Sequence, residues 1–131
     1  MDAVLNWTNQ AGVDLAFDTV GGKTFFATFD AVKVYGDLVT LLEPNYDLGT
    51  LKVARNRNLR LSFELMLTPM LQGLVEAEKH QGDILRQCGD LIDSGKLRIY
   101  LNQTFPLEAA ATAHQAIETG SMTGKIALSI D

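Results

Sequence analysis

The sequence predicts an α/β fold, with helices packed on a mostly parallel sheet. Two observations carry that prediction. First, a compact apolar run ends in a glycine turn, is followed by apolar residues at helical spacing, and is followed in turn by a second apolar run, which is the pattern of a βαβ unit. Second, strand-like and helix-like apolar spacing continues to alternate to the end of the chain, including an alanine-rich segment opened by proline.

Asp2 stands where it can cap a short helix to about Gln10, with Val4, Leu5 and Thr8 on one side and Gly12 ending it. Val13-Asp14-Leu15-Ala16-Phe17-Asp18 then reads as a strand covered on both faces, stopping at Thr19-Val20-Gly21-Gly22. From Lys23 the spacing becomes helical, with Phe25, Phe29 and Val32 at i, i+4 and i+7. Tyr35-Gly36-Asp37 breaks that helix, and Leu38-Val39-Thr40-Leu41-Leu42 is the next strand, closed by Glu43-Pro44-Asn45. A strand–helix–strand unit of this kind is expected to be parallel and right-handed.

The stretch 46–58 is polar, with room for one short helix. Residues 59–67 alternate apolar with polar over their first seven positions, which predicts a third strand less covered on one face, ended by Pro69. Ile84, Leu85, Cys88, Leu91 and Ile92 mark an amphipathic helix closed by Ser94-Gly95. Leu97-Arg98-Ile99-Tyr100-Leu101 reads as a short strand. Pro106 opens the alanine-rich helix to about Thr119, with Gly120 beyond it, and residues 125–130 form a last strand. Three or four strands are few for such a fold, so the sheet is expected to be incomplete.

Composition narrows the function. The 131 residues suit one domain, and a formal charge of −5 argues against nucleic acid or an anionic membrane as partner. The single cysteine, Cys88, excludes an internal disulfide and a thiolate cluster. His80 and His114 are too far apart for metal-ligand spacing, so no metal is expected. No apolar run approaches membrane-span length, and the start lacks a signal-peptide pattern, so a cytoplasmic setting is expected.

In an open parallel sheet, ligands bind outside the carboxyl ends of the strands. Three such ends are readable: at Asp18 to Gly22, at Leu41 to Pro44, and at Phe63 to Leu65. Gly21-Gly22 serves either as a tight turn or as a place where a ligand meets the backbone. Neither Gly-x-Gly-x-x-Gly nor a P-loop occurs, no nucleophile–base arrangement stands out, and Asp14, Asp18, Asp30 and Asp37 look structural or solvated. His80, His114, Cys88 and Lys125 read as packing or surface residues, and residues alone give no reaction.

Four segments, in order, resemble a known family. They are Gly12 to Gly22, then Ser94-Gly95-Lys96-Leu97, then Phe105-Pro106-Leu107-Glu108-Ala109-Ala110 with His114, and finally Thr123-Gly124-Lys125-Ile126. Together they resemble the C-terminal part of medium-chain dehydrogenases/reductases of the quinone-oxidoreductase kind, often called zinc-type alcohol dehydrogenases although many bind no zinc. The resemblance implies a partial Rossmann-like sheet. It also implies a parent of about twice this length or more, with a GroES-like catalytic domain and NAD or NADP as cofactor, reducing a quinone, enone or other carbonyl. Residues 1–103 would be the C-terminal half of the cofactor domain, and 104–131 a segment belonging with the catalytic domain.

By position, the resemblance puts Val20, Gly21, Gly22, Leu41, Leu42, Glu43, Phe63, Glu64 and Leu65 along the nicotinamide, and no catalytic residue in this chain. It implies a homodimer through the strand at 59–67, weak or absent cofactor binding and no turnover by this chain alone. A non-catalytic dimerisation or interaction module is the alternative. A small flavodoxin-like regulatory domain is disfavoured, because no acidic or phosphate site gathers at the strand ends.

Overall fold

A computed structural model describes residues 1–120 and 122–130. The chain divides into two compact units, residues 1–74 and 75–131. The 103/104 boundary expected from the resemblance concerns membership in a parent's domains, which is a separate matter from this division.

The first unit is built on helix α1 (Asp2–Trp7), strand β1 (Val13–Asp18), helix α2 (Gly22–Thr28), strand β2 (Val32–Thr40), helix α3 (Lys52–Asn56), strand β3 (Arg60–Phe63) and helix α4 (Thr68–Gln72). Its sheet has the order β1-β2-β3, and both pairings are parallel. The apolar side of α2 supplies the core. Phe25 and Phe29 are buried against Val32, Leu38 and Ala54, with Val13, Ala16 and Leu61 packed around them. Phe25 and Phe29 meet edge to face, centroids 5.0 Å apart, an arrangement that the ring quadrupoles favour.

Two sequence expectations are corrected here. Val32 does not continue α2; it begins β2, and it shares the helical spacing of Phe25 and Phe29 only because all three face the same core. Tyr35-Gly36-Asp37 does not separate helix from strand but lies inside β2, as a bulge. Two residue steps along β1, from Val13 to Leu15, run beside five along β2, from Val32 to Asp37. Tyr35 takes φ 64°, and a Cβ on Gly36 would stand 2.5 Å from Val32 Cγ1, so the bulge admits only glycine there. The side chain of Arg57 closes the same region, donating from Nε and Nη2 to the Val32 carbonyl at 3.0 and 2.7 Å.

The third strand is also shorter than the expected 59–67. It ends at Phe63, and Pro69 sits in the first turn of α4 instead of terminating a strand. At the N-terminus, Met1 is the cap position of α1 and Asp2 lies in its first turn without a capping side-chain bond.

The second unit contains helix α5 (Val75–Asp93), strand β4 (Leu101–Pro106), helix α6 (Ala110–Glu118) and strand β5 (Lys125–Ser129). β4 and β5 pair in parallel as a separate two-stranded sheet. The expected strand at 97–101 is displaced. Leu97 to Tyr100 lie outside any strand, and β4 runs through Asn102, Gln103 and Thr104 because its register is set by β5. Pro106 therefore ends a strand, and a short 3-10 turn, Leu107–Ala109, precedes α6. Among the described residues of this unit only Ala113 is buried, while Leu85, Ile99, Tyr100 and Ile130 are all largely exposed.

A candidate ligand cavity at the carboxyl rim

At the carboxyl ends of β1, β2 and β3 the register places Asp18, Thr40 and Phe63 side by side as successive Cα partners. Backbone bonds carry the alignment past the strand ends. Leu41 N–H donates to the Asp18 carbonyl at 3.1 Å, and Glu64 N–H donates to the Thr40 carbonyl at 3.0 Å. Beyond this row lies a cavity of about 450 Å³. Thr40, Leu41, Leu42, Glu43, Pro44 and Tyr46 line it from β2 and the following loop; Phe63, Glu64 and Leu65 line it from β3. That volume is in the range of small-molecule sites.

Six of the nine expected site residues meet at this cavity: Leu41, Leu42, Glu43, Phe63, Glu64 and Leu65. Val20, Gly21 and Gly22 do not line it, yet the glycine turn leans on its wall. A Cβ on Gly21 would lie 2.7 Å from Leu42 Cδ1. Pro44 belongs to the strand end read from the sequence, whereas Thr40 and Tyr46 were missed. Tyr46 carried a usable signal, an aromatic just beyond the proline that closes the strand; its ring sits 6.3 Å from that of Phe26.

Asp18 holds the rim together. It is 4% exposed, and its Oδ1 accepts from the backbone N–H groups of Val20 at 3.1 Å and Gly21 at 3.0 Å. Its Oδ2 lies 3.0 Å from Thr40 Oγ1, which in turn accepts from Leu42 N–H at 3.1 Å. A buried carboxylate without such donors would be costly, and here every lone-pair direction in use is met. Asp14 and Asp37, grouped with Asp18 in the sequence, lie elsewhere: Asp14 pairs with Lys33, and Asp37 with Arg60 across β2 and β3. The Lys33 ammonium, through hydrogen bond and charge, holds Asp14 below the usual carboxylate range, and Arg60 does the same to Asp37.

The cavity suits an uncharged group. Its walls are largely apolar, its charged residues are two glutamates, and no Lys or Arg lines it. An anionic group finds no counter-charge there.

A parallel sheet flanked by helices, with a cavity outside its carboxyl ends, is the arrangement of Rossmann-type α/β domains. The chain belongs to the zinc-binding dehydrogenase family, whose model matches residues 1–128. It is 31% identical over 128 residues to a probable quinone oxidoreductase of Schizosaccharomyces pombe, covering 95% of this chain and 37% of that protein. Among solved structures it is similar to an alcohol dehydrogenase superfamily protein from Novosphingobium aromaticivorans, with 28% identity, a TM-score of 0.78, and 99% of this chain matched to 40% of the other. It is also similar to the quinone oxidoreductase of Coxiella burnetii, with 27% identity, a TM-score of 0.67, and coverage of 92% and 34%. The chain thus spans well under half the length of the relatives it matches. The medium-chain dehydrogenase resemblance and the partial Rossmann-like sheet are borne out.

The family's description names zinc, and the donor set of the described residues offers it no site. Among the described residues no three His, Cys, Asp or Glu side chains are grouped to hold a metal ion. No helix among them is long and apolar enough to cross a membrane.

Proposed function

We propose that this chain forms the nicotinamide-side part of an NAD(P)H-dependent oxidoreductase, whose whole protein passes hydride to a small quinone, enone or other carbonyl. The observation that carries the reading is the cavity at the carboxyl rim, where residues 41–43 and 63–65 converge from the ends of two strands onto a largely apolar space of small-molecule size. The nicotinamide would lie against Leu42, Phe63 and Leu65, with rim backbone groups on its carboxamide. Val20, Gly21 and Gly22 would support it from the neighbouring turn. The bound cofactor supplies the hydride; the chain's own residues orient the ring and keep water from one face. Nothing at the rim matches a pyrophosphate, because no glycine fingerprint occurs in the sequence. Weak cofactor binding and no turnover are therefore expected of this chain alone. A cytoplasmic setting belongs to the same reading.

The test is a titration of isotopically labelled protein with NADH and NADPH, followed by amide NMR. Shifts confined to residues 20–22, 41–43 and 63–65 support the assignment. Saturable binding that leaves those amides unmoved rejects it.

A second reading, a dimerisation or interaction module, is favoured by a different observation. β3 is an edge strand of its sheet, and it carries exposed Phe63. Pairing of β3 with its copy would make the homodimer expected from residues 59–67, through the shorter ladder Arg60–Phe63. Sedimentation of the wild type and of Ser62→Pro separates the readings: a dimer lost on substitution, with no cofactor bound, supports the module.

A further inference from the structure

We infer that Glu43 and Glu64 are specificity-determining residues of the rim cavity, making it select the cationic form of a ring over the uncharged form of the same shape. The inference rests on the reading that the cavity takes the cofactor's ring, and it adds which oxidation state of that ring is held more tightly.

The argument is one of charge. The apolar walls suit the ring in either state, and shape alone does not tell the two apart. Glu43 lines the cavity from the loop after β2, and Glu64 from the residue after β3. Both residues are exposed, and among the described residues neither side chain makes an ion pair or a hydrogen bond. Asp18 adds a third carboxylate behind Thr40, which lines the cavity. It is met only by the N–H groups of Val20 and Gly21 and by the Thr40 hydroxyl, all neutral donors, so no cation cancels its charge. No Lys or Arg lines the cavity. Tyr46 and Phe63 line it as well, and aromatic rings attract a delocalised cation.

Such selection does not depend on contact. A cavity of about 450 Å³ is about 10 Å across, so a ring inside it lies within about 8–10 Å of each glutamate's charge. Even with the full screening of bulk water, one charge at that range changes an equilibrium constant about twofold, and two change it about fourfold. Loss of hydride, which carries two electrons and a proton to the acceptor carbonyl or quinone, leaves the ring with one positive charge. A fourfold preference for that state lowers the potential of the bound couple by about 20 mV, which makes the reduced form a better hydride donor.

The probes are the 1-methylnicotinamide cation and 1-methyl-1,4-dihydronicotinamide, which differ by one hydride and share the carboxamide; neither carries phosphate. Dissociation constants come from amide NMR titrations of the whole chain, read at residues 41–43 and 63–65, in about 10 mM salt, where screening is weak. Wild type should hold the cation about fourfold or more tighter than the uncharged probe. Glu43→Gln and Glu64→Gln should each weaken the cation about twofold, and the double variant about fourfold, while the uncharged probe binds as before. In about 1 M salt, where the Debye length is about 3 Å, wild type should lose most of its preference. That arm needs no variant, so it decides even where a substitution disturbs folding. Equal affinity of wild type for the two probes overturns the inference and leaves the ring site standing. So does a double variant that keeps the full preference, a loss shared equally by both probes, or a preference indifferent to salt. Saturable binding of neither probe at those amides overturns the ring site and the inference with it.

Discussion

Gly21→Ala tests whether the glycine turn sets the shape of the cavity wall. Gly21 holds φ 69° and ψ −156°, a region that only glycine enters cheaply, so an alanine there costs about 1–3 kcal/mol in backbone strain. The new Cβ would stand 2.7 Å from Leu42 Cδ1 and 3.1 Å from Leu42 Cβ, so Leu42 must leave its rotamer, at about 0.5–1.5 kcal/mol more. Alanine's smaller unfolded-state entropy returns about 0.4–1 kcal/mol. The net loss is about 2 kcal/mol, carried by the unit formed by residues 1–74. Gly22→Ala is the control. Its φ is +55°, yet the nearest atom to its Cβ is Leu48 Cδ1 at 3.9 Å, so only the backbone cost applies. Urea unfolding followed by far-ultraviolet circular dichroism reads the difference, since Trp7 is 79% exposed and a poor reporter of the core. With the urea dependence usual for small domains, Gly21→Ala should lower the midpoint by about 1 M or more. It should also shift the amides of residues 41–43. Equal losses for the two variants, with those amides unmoved, would refute the coupling of turn to wall.

Two further outcomes follow from the fold. Phe29→Ala empties the centre of the α2 contact, where Phe29 is fully buried and its ring meets those of Phe25 and Phe26, so it should cost about 3–5 kcal/mol in the same unfolding assay. A loss below about 1 kcal/mol would mean that α2 is not seated on the sheet. The second concerns pH. Arg60 depresses the folded-state pKa of Asp37, chiefly by hydrogen bonding, so the pair's contribution is present above the unfolded value of about 3.9 and fades as pH falls through the folded pKa. Amide protection across β2 and β3 should therefore hold from neutral pH down to about 4 and weaken below it. A ¹³C titration of Asp37 should return to the ordinary range in Arg60→Gln, and an unchanged titration would discount the pair.

Much of the rim was legible in the sequence. β1 was read with its observed ends, Val13–Asp18, because an apolar run stopped by two glycines has few other interpretations. The end of β2 was read two residues late, at Leu42, and β3 was carried on to Leu67, because Leu41-Leu42 and Leu65-Met66-Leu67 prolong the apolar signal beyond the last paired residues, Thr40 and Phe63. The start of β2 was missed, because helical spacing from Phe25 to Val32 arises equally from one helix face or from a helix and strand meeting the same core. The bulge at Tyr35 looked like a break because a backbone excursion inside a strand leaves the same glycine signal as a turn. β4 was displaced because polar Asn102 to Thr104 enter a strand on the strength of their partner β5, which local propensity does not record. Asp18 passed as one acid among several. Its place at the last position of an apolar run, just before a glycine turn, was the signal, and only the hydrogen bonds to Val20, Gly21 and Thr40 give that place its meaning.

Ala113 alone is buried among the described residues of 75–131, and that bears on how a cell would handle this polypeptide. Greasy side chains such as Leu85, Tyr100 and Ile130 at the surface are what holdase chaperones and degradation machinery bind. Covering those side chains would remove such recognition sites and favour the folded form by mass action.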